Sequence, residues 1–279
     1  MQVPIPERLL ALLDTEDART GLAETALLVA HTAYRDLDVR AFLDGVNVLA
    51  EQLRSRLVPE ATVQDKLSEL NQLLYGDLRF GPDPDNYYDP RNSFLNDVLT
   101  RRRGIPITLS VLYIELGRSV GLDLDGVAFP GHFLVRCEVD GGMVIIDAYH
   151  HGKSLSLDDL RERLQQSQGA ELPDEHLLPL LEPARPRDIV LRMLRNLKGI
   201  YLEARRHGEA LTVVDWLVAL DPESAPDLRD RGLVYEALEC SRAALADYEA
   251  YMRRAPDADD IDKIRGRAHE MRAAAARLN

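Results

Sequence analysis

The sequence has few cysteines and no long apolar runs, and both absences exclude whole classes of protein. Cys137 and Cys240 are the only cysteines among its 279 residues, too few for a disulfide framework or a thiolate zinc site. No apolar run approaches the roughly 20 residues that a membrane-spanning helix needs. The N-terminus lacks the basic-then-apolar order of a secretory signal. We therefore expect a cytoplasmic protein with no membrane partner.

Basic residues are also in the minority. Lys and Arg number 34 against 47 Asp and Glu, which gives a formal net charge of −13. This balance argues against a nucleic-acid partner, since phosphate binding needs positive charge. There is no Gly-rich phosphate loop and no dinucleotide fingerprint. The sequence therefore predicts neither a cofactor nor a nucleic-acid partner.

The first hundred residues have a helical pattern. Apolar residues at spacings of three and four over 39–57 predict one face of a long helix. Thr62 and Asp65 form a weak capping box before the next helix. The Gly- and Pro-rich segment 81–86 predicts a loop, and a helix follows near 93–103, with Gly104 expected just beyond its C-terminus. Pro106 then opens an apolar helix that runs to about Val120.

Residues 127–149 change to a period of two, which is typical of strands. The strand alternation places Phe133, Val135 and Cys137 on one face and their neighbours on the other. The thiol of Cys137 is therefore expected in the core. After a turn at Asp140-Gly141-Gly142, residues 143–149 form a second apolar strand. The pattern predicts an antiparallel hairpin packed on helices, an α+β arrangement.

Beyond residue 182 the chain contains an internal repeat. The pairs Tyr201/Tyr235, Ala210/Ala244 and Pro222/Pro256 each lie 34 residues apart, the period of tetratricopeptide repeats. We predict repeats over about 191–224 and 225–258 and a capping helix over 259–279. Lys198 occupies the position of a small residue in the first repeat, so that copy is imperfect. The predicted domains are 1–182 and 183–279.

Two segments carry a resemblance to a known family. Residues 92–113, which include Gly104-Ile105-Pro106-Ile107, and the later Pro130-Gly131-His132-Phe133 resemble the bacterial SirB-type family. That family has a transglutaminase-like domain followed by tetratricopeptide repeats. The resemblance implies a papain-like or transglutaminase-like α+β core with an antiparallel hairpin, followed by an all-α repeat tail.

The resemblance also implies a degenerate active site. In active members of the wider superfamily a cysteine occupies the helix start that aligns with Pro106, where the helix dipole favours a thiolate. Proline has no nucleophile and no backbone N–H. Ser110 lies about one turn further along the helix and is a cleft-lining candidate. Thr108 points away from Pro106, and the alternative interpretation of both hydroxyls is a hydrogen bond back to a helix carbonyl.

His132 and Asp147 are the remaining members of the Cys-His-Asp framework. With a turn at Gly141-Gly142, Asp147 would lie opposite Arg136, two rungs from His132, so that direct contact would need a bulge or a longer loop. If they meet, the carboxylate orients the imidazole as in a triad. Otherwise His132 bonds a neighbouring loop and Asp147 pairs with Arg136.

Other residues are candidates for the rim of the cleft. Asn96 lies in the segment that carries the resemblance, and Tyr88 lies in the loop before it. The run Arg101-Arg102-Arg103 either holds an anion or compensates the helix dipole. His150 and His151 are adjacent in sequence and would point apart in a strand, so we expect no metal site.

Two functional hypotheses follow. The first is a non-catalytic binding or regulatory protein, whose repeats hold a protein or peptide partner. The second is a hydrolase or acyl transferase that acts on amide bonds through His132 and Asp147.

Overall fold

The structure is a computed structural model that describes residues 3–14, 21–168 and 177–277. It divides into two compact units. The first unit is Pro6–Met193, and the second contains the described residues of Met1–Ile5 and Leu194–Asn279. Across the described residues, no helix combines the length and the apolar character that crossing a bilayer requires. The helices are α1 (Glu7–Leu13), α2 (Leu22–Val29), α3 (Val39–Arg56), α4 (Val63–Asn71), α5 (Leu95–Arg101), α6 (Pro106–Ser119), α7 (Leu157–Gln168), α8 (Pro186–Glu203), α9 (His207–Leu220), α10 (Ala225–Ala237), α11 (Ser241–Arg254) and α12 (Ile261–Arg277).

Helix α6 is the centre of the first unit. Its residues are apolar on nearly all sides and almost all of them are buried, as expected for a helix with neighbours all round. Pro106 begins it, as the sequence predicts. The Thr62–Asp65 capping box before α4 is also confirmed. Directly after α4 comes a π-helical turn, Gln72–Asp77, which the sequence pattern does not reveal.

The end of α5 differs from the prediction. The helix stops at Arg101, and Arg102 takes the left-handed conformation (φ 61°) that was expected of Gly104. Gly104 is needed for another reason, because a Cβ there would lie 2.8 Å from the Thr108 hydroxyl oxygen. The arginines after α5 are engaged with backbone carbonyls: Arg102 donates to Leu78 and Arg103 to Arg79.

The α+β prediction is confirmed, and the sheet is larger than a hairpin. Its four antiparallel strands lie in the order β1-β2-β3-β4. The edge strands were not predicted. Alternate strand residues face opposite sides, and Leu134 and Ile145 share a buried cluster with Leu160 and Leu164 of α7. The strands are β1 (Leu124–Val127), β2 (Leu134–Val139), β3 (Gly142–Asp147) and β4 (Lys153–Leu155).

The second unit is the repeat region, in which the part of α8 from Leu194 onwards and helices α9 to α12 follow one another through short connections. A Cβ at Gly232 would lie 2.6 Å from the Tyr248 ring, so the small residue permits the helix contact that the repeat pattern requires. The exception at Lys198 has a physical explanation. Its ammonium group lies 2.7 Å from Asp227 and 2.5 Å from Asp230 on α10, so the long side chain bridges to the next helix.

Candidate functional site

His132 and Asp147 are in direct contact. His132 lies just before β2 and Asp147 ends β3, and the His132 Nε2 to Asp147 Oδ1 distance is 3.0 Å. The expectation that contact needs a bulge is wrong, because Val139 pairs with Gly142 and places the turn at Asp140-Gly141. This register sets Arg136 opposite Ile145 instead of Asp147.

Arg136 is therefore not the partner of Asp147. It donates to the Leu181 carbonyl (3.1 Å) and forms an ion pair with Glu138. The alternative in which Asp147 pairs with Arg136 is accordingly excluded.

Asp147 is a fully buried carboxylate that accepts hydrogen bonds on both oxygens. Besides His132, Oδ1 accepts the backbone N–H groups of Tyr149 (3.0 Å) and His150 (3.1 Å). Oδ2 lies 2.6 Å from His150 Nδ1 and 2.7 Å from the Arg163 guanidinium. Burial alone would raise the pKa of Asp147, but the hydrogen bonds and charges of His132 and His150 lower it well below its ordinary value. The carboxylate is therefore ionised at neutral pH.

The contact with Asp147 fixes the protonation pattern of the neutral His132 ring. Because Nε2 faces a carboxylate, Nε2 carries the proton and the lone pair is left on Nδ1. The His132 side chain is 14% exposed. It lines an open cavity of about 370 Å³ together with Pro130, Gly131, Arg163, Gln166 and Ser167.

The start of α6 presents no nucleophile. Pro106 is buried there. Thr108 is fully buried, and its hydroxyl donates to the Asn92 carbonyl oxygen (2.8 Å) while accepting the Ile105 N–H (3.1 Å). Ser110 is also fully buried, and its hydroxyl lies 3.5 Å from the Phe133 carbonyl oxygen. Ser110 thus reaches the backbone beside His132, with its hydroxyl directed to a carbonyl.

The two rim candidates occupy different environments. Tyr88 is 65% exposed, and a chain of rings leads from it towards the dyad. Tyr88 contacts Tyr87 at 5.1 Å between centroids, Tyr87 contacts Tyr149 at 6.4 Å, and Tyr149 contacts His132 at 6.0 Å. Asn96 is buried in α5, and within the described residues no hydrogen bond joins it to the dyad.

The segment that carries His132 is held by an arginine that sequence reasoning missed. Arg192 donates to the carbonyl oxygens of Phe129 (3.1 Å) and His132 (2.7 Å), and its guanidinium lies over the Phe133 ring. Burial lowers the pKa of Arg192, an effect that the nearby Tyr87 partly offsets. Arg192 is thus a positioning residue for the turn before β2.

His150 and His151 diverge, as expected for neighbours. His151 takes a left-handed backbone conformation (φ 58°) and packs against Tyr75. His150, however, joins His132 and Asp147 in a group whose potential ligand atoms lie within 4.8 Å of one another. Two imidazoles and one carboxylate are a possible metal-ligand set. Arg163 already places a positive charge on Oδ2 of that carboxylate, so we interpret the group as a hydrogen-bonded cluster.

Comparison with known proteins places the chain in a family. A family model described as the transglutaminase-like superfamily matches residues 40–195, and a tetratricopeptide-repeat model matches residues 197–269. A UPF0162 protein of Xylella fastidiosa strain Temecula1 is 40% identical over 256 residues, which cover 91% of each chain. The chain belongs to the UPF0162 family. Its first unit is a transglutaminase-like domain, and tetratricopeptide repeats follow.

Other UPF0162 relatives match over three quarters of this chain or more. The Vibrio cholerae protein is 31% identical over 75% of this chain and 77% of its own length. The protein YchA of Escherichia coli K12 is 27% identical over 94% of this chain and 96% of its own. A crystal structure of menin that reveals the binding site for the Mixed Lineage Leukemia protein is 15% identical, covers 97% of this chain and 76% of menin, and has a TM-score of 0.43.

Proposed function

We propose that this protein is a non-catalytic, protein-binding member of the transglutaminase-like superfamily. The observation that carries the proposal is the start of α6, where Pro106 replaces any nucleophile. The nearby hydroxyls of Thr108 and Ser110 are buried and directed to backbone carbonyls. The SirB-type name and a cytoplasmic location belong to the same proposal.

The tetratricopeptide repeats supply the binding surface in this proposal, because such repeats generally mediate protein–protein interactions. A cavity of about 550 Å³ in the repeat unit supports this assignment. Trp216 donates its indole N–H to the Val3 carbonyl oxygen (2.7 Å), so this wall already holds a non-helical backbone segment. We assign the cavity to a short apolar peptide segment of a partner. Its lining residues are Val3, Pro4, Ile5, Asp215, Trp216, Val218, Ala219 and Arg231.

A pair of matched variants tests this assignment. Ala219 is exposed at the end of α9 and lines the cavity, whereas Ala246 is exposed on α11 outside it. Ala219→Arg fills the cavity mouth with a long charged side chain, and Ala246→Arg adds the same side chain elsewhere on the unit. The tagged full chain and both variants are used to capture proteins from a bacterial lysate, with quantitative mass spectrometry as the readout.

The proposal expects a defined set of proteins that the wild type and Ala246→Arg retain equally. Ala219→Arg should lose most of that set while keeping the circular dichroism spectrum of the wild type. Equal capture by Ala219→Arg and the wild type would reject this cavity as the partner site. His132→Ala should capture the same set, since the dyad has no part in this function.

A second candidate function is hydrolysis or acyl transfer on amide bonds, and the dyad geometry favours it. His132 and Asp147 have the base–orienter contact of a triad, and the lone pair on Nδ1 is placed to take a proton from water or a substrate amine. The readout is hydrolysis of fluorogenic peptide amides by the full chain across pH 5–9.

The control for this test is His31→Ala, which changes a histidine far from the dyad that contacts the Arg35 carbonyl. Turnover lost in His132→Ala and kept in His31→Ala would reject the non-catalytic proposal. Turnover that is absent, or unchanged by His132→Ala, would reject the enzyme.

A further inference from the structure

A second cavity of about 390 Å³ lies in the first unit, on the face of the sheet opposite to the Asp147 side chain. One wall is formed by α4 and the π-helical turn, and the other by the end of β3 and the loop to β4. Ile146 lines it, and Ile146 precedes Asp147 in β3, so the two side chains point to opposite faces of the sheet. The lining residues are Gln64, Leu67, Ser68, Asn71, Gln72, Tyr75, Gly76, Tyr113, Ile146, His151, Gly152 and Ser154.

The walls of this cavity carry no lysine, arginine, aspartate or glutamate. These four types make up 29% of the sequence, so a wall of twelve residues without any is unusual for this chain. A charged ligand would lose part of its hydration there and find no Lys, Arg, Asp or Glu side chain of opposite charge in the wall, which is unfavourable. The cavity therefore suits an uncharged molecule.

Two residues of the wall have buried polar atoms without a hydrogen-bond partner in the described structure: Tyr113, through its hydroxyl, and Asn71, through Oδ1. Tyr113 is fully buried, and burial raises the pKa of its hydroxyl, which stays protonated. A hydroxyl is a donor and an amide Oδ1 is an acceptor. Buried groups of this kind are normally satisfied, by protein, water or ligand.

The backbone around the cavity fixes these groups in place. A Cβ at Gly152 would lie 2.0 Å from Asn71 Oδ1, so only glycine allows this approach. Asn71 Nδ2 faces the Gly152 carbonyl oxygen (3.4 Å), which leaves Oδ1 as the unused end of the amide. Tyr75, within the π-helical turn, donates its hydroxyl to the Ala148 carbonyl oxygen (2.8 Å). Single π-helical turns frequently occur at functional sites.

We propose that this cavity binds a small uncharged molecule that carries a carboxamide. A carboxamide offers both groups that the wall lacks, a carbonyl oxygen for the Tyr113 hydroxyl and an N–H for Asn71 Oδ1. The rings of Tyr75 and His151, 5.3 Å apart between centroids, add aromatic surface beside it. This site is separate from the proposed partner surface and from the dyad.

Ligand-observed NMR on the full chain tests the proposal with two matched pairs of probes. Benzamide and acetamide carry the carboxamide, whereas benzoate and acetate have the same shapes and a negative charge. At least one amide should bind, and its carboxylate counterpart should bind at least about tenfold more weakly. Tyr113→Phe should weaken binding of the amide by about two- to tenfold, as expected for the loss of one hydrogen bond. Tyr87→Phe, outside the cavity, is the control and should leave binding unchanged.

Three outcomes would overturn the proposal. The first is the absence of binding by both amides. The second is equal binding of an amide and its carboxylate. The third is a failed contact with the wall, seen either as equal binding by the wild type and Tyr113→Phe or, in a crystal soaked in the amide that binds, as only ordered water between Asn71 and Tyr113.

Discussion

Replacement of Asp147 by asparagine should cost about 3–5 kcal/mol of unfolding free energy, the typical effect of breaking a buried charge pair from one side. The carboxylate is fully buried and contacted by two imidazoles and a guanidinium. In Asp147→Asn a neutral amide faces Arg163. The NH₂ group of this amide can only donate, so it cannot accept the hydrogen bonds that one oxygen of Asp147 accepts. The Arg163 guanidinium is then left without its counter-charge.

Urea unfolding monitored by far-UV circular dichroism measures the effect, with Asp158→Asn as the control. Asp158 is a carboxylate on the first turn of α7 whose side chain is 89% exposed, so its replacement should change stability by less than about 0.5 kcal/mol. If Asp147→Asn differs from the wild type by no more than this control, the contacts of Asp147 do not stabilise the fold.

The unfolding free energies of the wild type and Asp147→Asn should also differ with pH, and the sign of this dependence follows from the lowered pKa of Asp147. The folded-state pKa of Asp147 is lowered, so its contribution to stability is present above the unfolded pKa of about 3.9 and is lost as the pH falls below it. The difference between the wild type and Asp147→Asn should therefore shrink as the pH falls below about 4. A difference that stays constant down to pH 2 would contradict the lowered pKa.

Three further predictions concern stability. Tyr75→Phe removes a hydrogen bond to the Ala148 carbonyl and should cost about 1 kcal/mol in urea unfolding. Tyr113→Phe removes a hydroxyl without a partner in the described structure and should be neutral or stabilising. The reverse order would contradict the assignment of hydrogen-bond partners to these two hydroxyls. Gly152→Ala combines a positive φ with a clash and should lower the thermal midpoint more than Gly141→Ala, which has a positive φ and open space. Lys198→Met removes the ammonium group between Asp227 and Asp230, although Asp227 keeps Arg195 and Asp230 keeps Arg229 as partners. The substitution should cost about 1–2 kcal/mol, measured by Trp216 fluorescence, and an unchanged midpoint would show that the bridge is not stabilising.

Much of the fold is predictable from local patterns, because period and capping are properties of short segments. The long helix α3, the start of α6 at Pro106 and the 34-residue repeat all follow from spacing alone. The π-helical turn does not, since nothing in Gln72–Asp77 distinguishes it from a continuing α-helix. The edge strands are also missed, because β1 and β4 are only four and three residues long.

The site was less predictable, because it depends on contacts between distant segments. His132 and Asp147 stand out by residue type, but their contact depends on the position of the turn. The turn lies at Asp140-Gly141, one residue before Gly141-Gly142, and this shift moves the partner of each β3 residue by two positions along β2. Arg163 carries no local signal, since one arginine in an amphipathic helix gives no sign that it faces a buried carboxylate. Only the packing of α7 on the Leu134 face of the sheet brings it to Asp147.

The position of Arg163 links α7 to whatever occupies the cavity beside His132. Its guanidinium is bound to Asp147, and Arg163 also lines that cavity, so an occupant with a negative group would share one cation with the buried carboxylate. Binding that draws Arg163 outward weakens the tether between α7 and β3. By thermodynamic reciprocity, loosening of α7 changes the affinity for such an occupant by the same factor. Through this one side chain, the stability of α7 and the occupancy of the cavity beside His132 depend on each other.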